Sequence, residues 1–470
     1  MKKETKKLIA AGIVMALGCG AWGSVSAADP NAAIAGEDKN VNSIYSDGKI
    51  NASYGLKAEG DPSSPKEGKI SLTTAKVEIQ ATGTTWNTGF GIQATNWGSV
   101  IVGNADTQDV SISGVSQGVK LKKGGRAEIT GEQVKISNNE KKKPLIEIDN
   151  GVNGAKRPAH LIVKGKQIEL VSAGQVIAAT SKYSASKNYP KASVVLGDDS
   201  TESLTMTGGN GINAGRNSEI IGKAKNINLV VNSAASTKGV QATTEESMVR
   251  LTATNNLLID VTGADGAIAV HNRSAAGKVE LAGNDVKIHA TATDGQVYGI
   301  QSETKSDVKI SGNTVEIGTT GGKNGNNGEI GSAALYAKNS NIEVDANKVV
   351  VNTTNATEHA FAVYSNGGSA IQLGKDANSE VQISSSSKGT ALGVAVASTG
   401  TTTTPAPDGS KVTIHGAKIN VSAEGKTARG LYAQDNNKIS AGNAGSDIQI
   451  SAKGEDAIGV LALVHGSVDL

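Results

Sequence analysis

The chain has 470 residues, 58 of them Gly and 8 Pro, with aromatics at 3% and charged residues at 19%. That composition excludes a bulky helical core and a highly charged disordered chain, and glycine without a three-residue period excludes collagen. The formal net charge is +2; Lys2, Lys3, Lys6 and Lys7 against Glu4 supply +3, so the remainder carries −1 and has no basic stripe for nucleic acid.

Met1–Lys7 is basic, Leu8–Leu17 is apolar and too short for a comfortable membrane span, and Ser24–Ala28 is built of small residues. Val25 and Ala27 occupy the −3 and −1 positions of a cleavage site between Ala27 and Ala28, so residues 1–28 read as a secretory signal peptide. A competing pattern, Ala16-Leu17-Gly18-Cys19, resembles a lipoprotein box that would lipidate Cys19. With Cys19 removed, the remaining chain has no cysteine, and burial and backbone pairing must hold the fold without disulfides. Export through a bacterial inner membrane fits both features.

Residues 29–55 read as a lead-in or cap, and residues 56–470 as one repeat with three elements per unit. The first is a small-residue turn with an apolar anchor: Leu56, Ile92, Val119, Ile146, Val176, Ile212, Val240, Ile268, Ile300, Leu335, Val363, Val394, Leu431 and Val460, about 31 residues apart. The second is an apolar-x-apolar pair, as in Ile70/Leu72, Val100/Val102, Leu161/Val163, Val249/Leu251, Val308/Ile310 and Val412/Ile414. The third is another such pair, from Val77/Ile79 through Val286/Ile288 to Ile448/Ile450, once in each of the 13 intervals between anchors.

Period-2 alternation makes each element a short strand. A single rung cannot bury its apolar face, so equivalent strands must stack, Val on Val and Ile on Ile. The expected fold is all-β: a right-handed parallel β-helix of about 13 three-strand rungs, a rod of roughly 60 Å at ~4.8 Å per rung. Insertions at Lys182–Ala192, Thr319–Ser332 and Ser398–Ser410 read as loops on two corners.

Chemistry is sparse. His160, His271, His289, His359, His415 and His465 form no H-x-x-x-H or Cys/His pattern. Gly197-Asp198-Asp199-Ser200 is the nearest approach to a carboxylate cluster and reads as a turn. There is no G-x-S-x-G elbow and no phosphate loop, and Gly321–Glu329 lacks the Asp of calcium-binding glycine repeats. No catalytic residue, cofactor or metal is therefore expected, and the chain is read as a non-enzyme. Lys120, Lys122, Lys123 and Lys141–Lys143 read as solvated loop lysines that can face an anionic surface. Tyr336, Tyr364 and Tyr432 each follow an anchor, point outward and form a candidate aromatic row for surface recognition.

The basic-start signal, the absence of other cysteines and the Gly-anchored Val/Ile/Asn/Ser/Thr rungs resemble the passenger region of an autotransporter, a type V secreted protein. That resemblance implies a cell-surface, outer-membrane or extracellular adhesin or structural rod. It also implies a host or neighbour-cell protein or glycan as partner, and passage through a C-terminal outer-membrane β-barrel. No segment here has a barrel's long alternating strands with aromatic girdles, and the chain stops mid-rung after Val468/Leu470. A longer precursor is the expectation. The alternative function is that of a polysaccharide-acting β-helix enzyme, a lyase or hydrolase.

Overall fold

A computed structural model describes residues 29–61, 66–83, 89–150, 157–181, 190–323, 331–397 and 409–470. Cys19 and the cleavage pair Ala27 and Ala28 lie outside the described residues, as do residues 182–189, 324–330 and 398–408 of the three expected loops.

Every described strand pairing is parallel, and the chain winds as a three-faced β-solenoid of about 13 turns. No helix occurs among the described residues. One face is a 15-stranded sheet running from Ala32–Ala33 to Asp456–Leu463. The other two faces join into a single 25-stranded sheet, because strands such as Ser218–Ser233, Met248–Gly263 and Asn341–Ala356 serve both.

The third-element pairs stack as the alternation predicts. Val77 registers with Val110, then Val134, Ile168 and Leu204, and Ile288 lies between Ile259 and Ile317. All these side chains are essentially inaccessible to water. The second-element column is fuller than its apolar pattern suggested: Ala127/Ile129, Val194/Leu196, Ile220/Gly222 and Ile439/Ala441 complete it. Two anchors shift. Ile177, not Val176, registers with Ile146 and Ile212, and Val270, not Ile268, registers with Val240 and Ile300.

The shifts share a cause. Most strands of the first face carry a Gly or Ala immediately before the anchor, and this residue makes no ladder pair while its neighbours do. The break bends the strand as a bulge does, placing two inward residues in succession, for example Gly299 and Ile300. Val176 occupies this glycine position, and Ile268, one residue earlier, points out.

The bend is forced by close approach. A Cβ on Gly91 would lie 2.3 Å from Ile112 Cγ2, and one on Gly211 would lie 1.9 Å from the Gly239 carbonyl oxygen. Outward side chains three residues apart then converge, as Phe361 and Tyr364 show with ring centroids 5.1 Å apart. Their outer surface becomes a shallow trough in which outward residues shelter one another. Phe90, Gln117, His271 and Tyr298 are all at most 3% exposed although none points into the core.

At the first rung the apolar second-element column begins with a charge. Lys39 registers with Ile70, and its ammonium donates to the carbonyls of Asp29 (3.1 Å) and Ala32 (2.5 Å) beside Glu37. An inward lysine at a sheet edge opposes further strand addition there.

Candidate functional site

The trough brings outward side chains of successive rungs into contact. Tyr336, Tyr364 and Tyr432 all lie in it, in one row with Gln301 and Ala395. Tyr336 and Tyr364 stack with centroids 5.7 Å apart and planes 9° apart. Tyr432 is separated from them by the rung of Ala395. Tyr298 and Phe361, in the parallel row, join the cluster at 5.3 Å from Tyr336 and 5.1 Å from Tyr364. Leu392 and Ala395 close it into a small apolar cluster outside the solenoid core. Burial pushes the Tyr364 hydroxyl up to about 12. Much of the ring surface is therefore engaged in ring–ring and ring–aliphatic packing. Tyr298 and Phe361 escaped the sequence reading because they stand two residues before an anchor, where simple alternation points inward; the Gly or Ala between them and the anchor was the available signal.

Toward the middle of the trough three successive rungs present Lys238, His271 and Glu303. Lys238 Nζ lies 2.9 Å from His271 Nδ1, so the neutral ring accepts there. His271 Nε2 is buried and faces Glu303 Oε2 at 3.6 Å, longer than a hydrogen bond. Burial first, and then the charges of Lys238 and Arg273, hold His271 below the usual imidazole range, while Glu303 opposes them. The His271 side chain lowers Glu303 against the effect of its own burial. Burial also lowers Lys238. Nothing local marks this trio: its members are about 32 residues apart and meet only through rung stacking.

Of the lysines expected on solvated loops, Lys120 and Lys122 stand instead half-buried on the strand Gln117–Lys122, and the cluster is partly neutralised. Lys122 lies 3.8 Å from Glu147 and 4.0 Å from Asp149, and Gln117 donates to Glu147 at 2.7 Å. Lys143 reaches the Ser116 hydroxyl at 3.4 Å.

The Asp198–Asp199 stretch is a corner. Ser200 donates to Asp198 through both its backbone N–H (2.8 Å) and its hydroxyl (2.6 Å), and Asp199 pairs with Lys223 at 2.6 Å. The bond from the Ser200 hydroxyl is the main cause that holds the Asp198 carboxyl below its ordinary range.

On the third face His289 points outward, as alternation requires. Its Nε2 lies 3.1 Å from Thr320 Oγ1 and its Nδ1 3.8 Å from Asp260 Oδ1. The order carboxylate–imidazole–hydroxyl is that of an acyl-transfer triad, with the backbone of His289 and Thr320 taken up in the strand ladder.

Two depressions on the surface of the described residues gather polar side chains. One, of about 490 Å³, lies over the second element and is lined by Lys309, Glu343, Asp307 and Asn341, which bond to one another at 2.9 Å. The other, of about 450 Å³, lies in the trough between Asp149 and Thr244. No group of three or more His, Cys, Asp or Glu suited to a metal occurs among the described residues. Comparison with known proteins finds no match, whether to a family model, a curated protein or a solved structure.

Proposed function

We propose that the chain is the β-helical passenger of an autotransporter-like outer-membrane protein. On this reading it crosses the bacterial inner membrane by its first 28 residues and is displayed at or released from the cell surface. It acts there as a non-catalytic adhesin or structural rod, and a host or neighbour-cell protein or glycan engages its outer faces. The observation that carries this reading is the unbroken stacking of strands on all three faces, rung after rung, with one outer face bent into a continuous trough. A rigid rod of this kind presents a long surface at fixed spacing, which suits repeated weak contacts.

The test is display. The gene with its full downstream coding region is expressed in a bacterium that lacks it. Whole cells are then assayed for protease-accessible passenger and for adhesion to a second cell layer. Surface exposure with increased adhesion is the expected result; a passenger retained inside the cell, or no change in adhesion, overturns it. Steady release of reducing ends from polysaccharide by the purified protein would favour the enzyme alternative.

A further inference from the structure

We propose that the depression in the trough between Asp149 and Thr244 binds an uncharged, linear oligosaccharide; this rests on the surface-rod reading and names its ligand class.

The site exists because side chains are missing from the trough floor. Glu147, Ala178, Asn213 and Gln241 follow one another in register, and the shortest of them leaves the gap. In the next row Gly215 stands where a Cβ would come within 3.1 Å of the Thr180 hydroxyl. The resulting hollow of about 450 Å³ is lined by Asp149, Thr180, Asn213, Arg216, Thr243 and Thr244. Such a hollow on a packed rod is a gap left in an otherwise continuous row, and its walls carry polar groups on a surface that is mostly apolar.

The polar groups are only partly engaged with the protein. The Thr243 hydroxyl donates to Asn213 Oδ1 at 3.1 Å, which leaves the Asn213 amide N–H groups for another acceptor. The Thr244 hydroxyl is buried and makes no hydrogen bond. A buried hydroxyl without a partner is costly, and a bound polar group relieves that cost. Arg216 is exposed at the rim and forms no ion pair among the described residues.

The donor set identifies the ligand class. Hydroxyls, an amide, a guanidinium and a carboxylate together match the vicinal hydroxyls of a sugar, each of which both donates and accepts. Charges of both signs border the hollow, with Asp149 and the exposed Glu245 and Glu246 set against Arg216. The three carboxylates outnumber the one guanidinium, so the border repels an acidic polymer. The trough continues along the rod in both directions, and its rung height of ~4.8 Å is about the length of one pyranose unit. A chain lying along the axis thus meets a new rung at each sugar.

The experiment uses the purified protein on a panel of neutral oligosaccharides of two to six residues (cello-, chito-, malto- and lacto-series), with hyaluronan fragments as the acidic arm. Ala178→Trp fills the hollow from the trough floor, Thr180→Phe obstructs it from an exposed position, and Arg216→Gln removes the rim donor. Tyr336→Ala alters only the aromatic stretch. Binding of a neutral series that falls at least tenfold in Ala178→Trp and Thr180→Phe and several-fold in Arg216→Gln, with melting unchanged, is the expected result. Undiminished binding in both obstructing variants, binding lost only in Tyr336→Ala, or preference for hyaluronan overturns the site. If no glycan binds while displayed passenger still promotes adhesion, the glycan proposal fails and the surface-rod reading stands.

Discussion

Arg250 Nε lies 2.6 Å from Glu280 Oε2, thirty residues further along the chain but only one rung along the rod. Lys309 follows in the same column and pairs with Glu343 at 2.9 Å. The sign of charge therefore alternates through four successive rungs. In a parallel in-register stack each side chain faces its equivalents above and below, so like charges in one column repel at every contact. Alternation opposes a rung slip, because a shifted strand would face its own sign. Glu280→Lys should place three cations in successive rungs and lower the melting temperature, with a cost of roughly 0.2–1 kcal/mol per altered pair. Glu280→Gln should cost less. Thermal melts at low and high salt check this: screening should narrow the gap between Glu280→Lys and the parent, and a salt-independent loss would mean packing, not charge, is responsible.

The bend of the first face makes a graded prediction. A Cβ on Gly211 would sit 1.9 Å from the Gly239 carbonyl oxygen, whereas one on Gly299 would sit 2.6 Å from that of Ala334 and 2.9 Å from Ile317 Cγ2. Ala269, Ala334 and Ala362 already hold this position in other rungs and are fully buried. Gly211→Ala should therefore cost on the order of 1–3 kcal/mol through backbone displacement, and Gly299→Ala distinctly less. Urea denaturation of the two variants decides the matter. Equal losses would show that the approach of the next rung does not set the requirement for glycine.

Acidification should weaken the middle of the trough. His271 has its folded-state pKa lowered from 6.5, by burial first. Between that lowered value and the ordinary 6.5, the unfolded chain binds the proton and the folded chain does not. Stability contributed by neutral His271 is thus present above pH 6.5 and is lost as pH falls toward the folded value. Protonation also removes the acceptor at Nδ1 and sets two cations, His271 and Lys238, against each other. Glu303, itself lowered from 4.5, adds a second loss at more acid pH. Melting temperature followed from about pH 8 to about pH 5 should fall more steeply in the parent than in His271→Gln, whose amide oxygen can still accept from Lys238. Parallel curves would exclude His271 as the titrating group.

How far the molecule was legible in its sequence follows from where local rules suffice. The third-element pairs could be read because Val286 and Ile288, and each equivalent pair, alternate without interruption. Val176 and Ile268 were misread as anchors because the bend resets alternation just before the anchor. Ala127, Gly222 and Ala441 hid second-element pairs by being small. The outward orientation of Tyr336 and Tyr364 was legible, but their packing against Tyr298 and Phe361 was not. The Lys238–His271–Glu303 trio and the hollow beside Arg216 were not legible at all. They are made by residues one rung apart in space and about thirty apart in sequence, and the hollow is defined by side chains that are small or missing.

One corner recurs with a local signature, and it accounts for the Asp198–Asp199 stretch. Gly103, Gly197, Gly374 and Gly442 all take φ between 70° and 87°, a conformation that strains any residue with a Cβ. A few residues later Thr107, Thr201, Ser379 and Ser446 fold their hydroxyls back. Thr201 Oγ1 accepts from the Asp198 N–H at 3.0 Å and donates to the Gly165 carbonyl of the preceding rung at 2.8 Å. Thr107, Ser379 and Ser446 repeat both bonds, accepting from Asn104, Asp376 and Asn443 and donating to Thr74, Ala346 and Gly416. Thr201 is completely buried, so Thr201→Ala should leave a donor and an acceptor without partners, at about 1–3 kcal/mol. Thr201→Ser should retain most of the stability. Asp199→Ala removes only an ion pair whose carboxylate is 83% exposed, and should cost less than about 1 kcal/mol. Chemical denaturation of the three variants tests the ranking. If Asp199→Ala proved as damaging as Thr201→Ala, the corner would depend on its carboxylates and not on the buried hydroxyl.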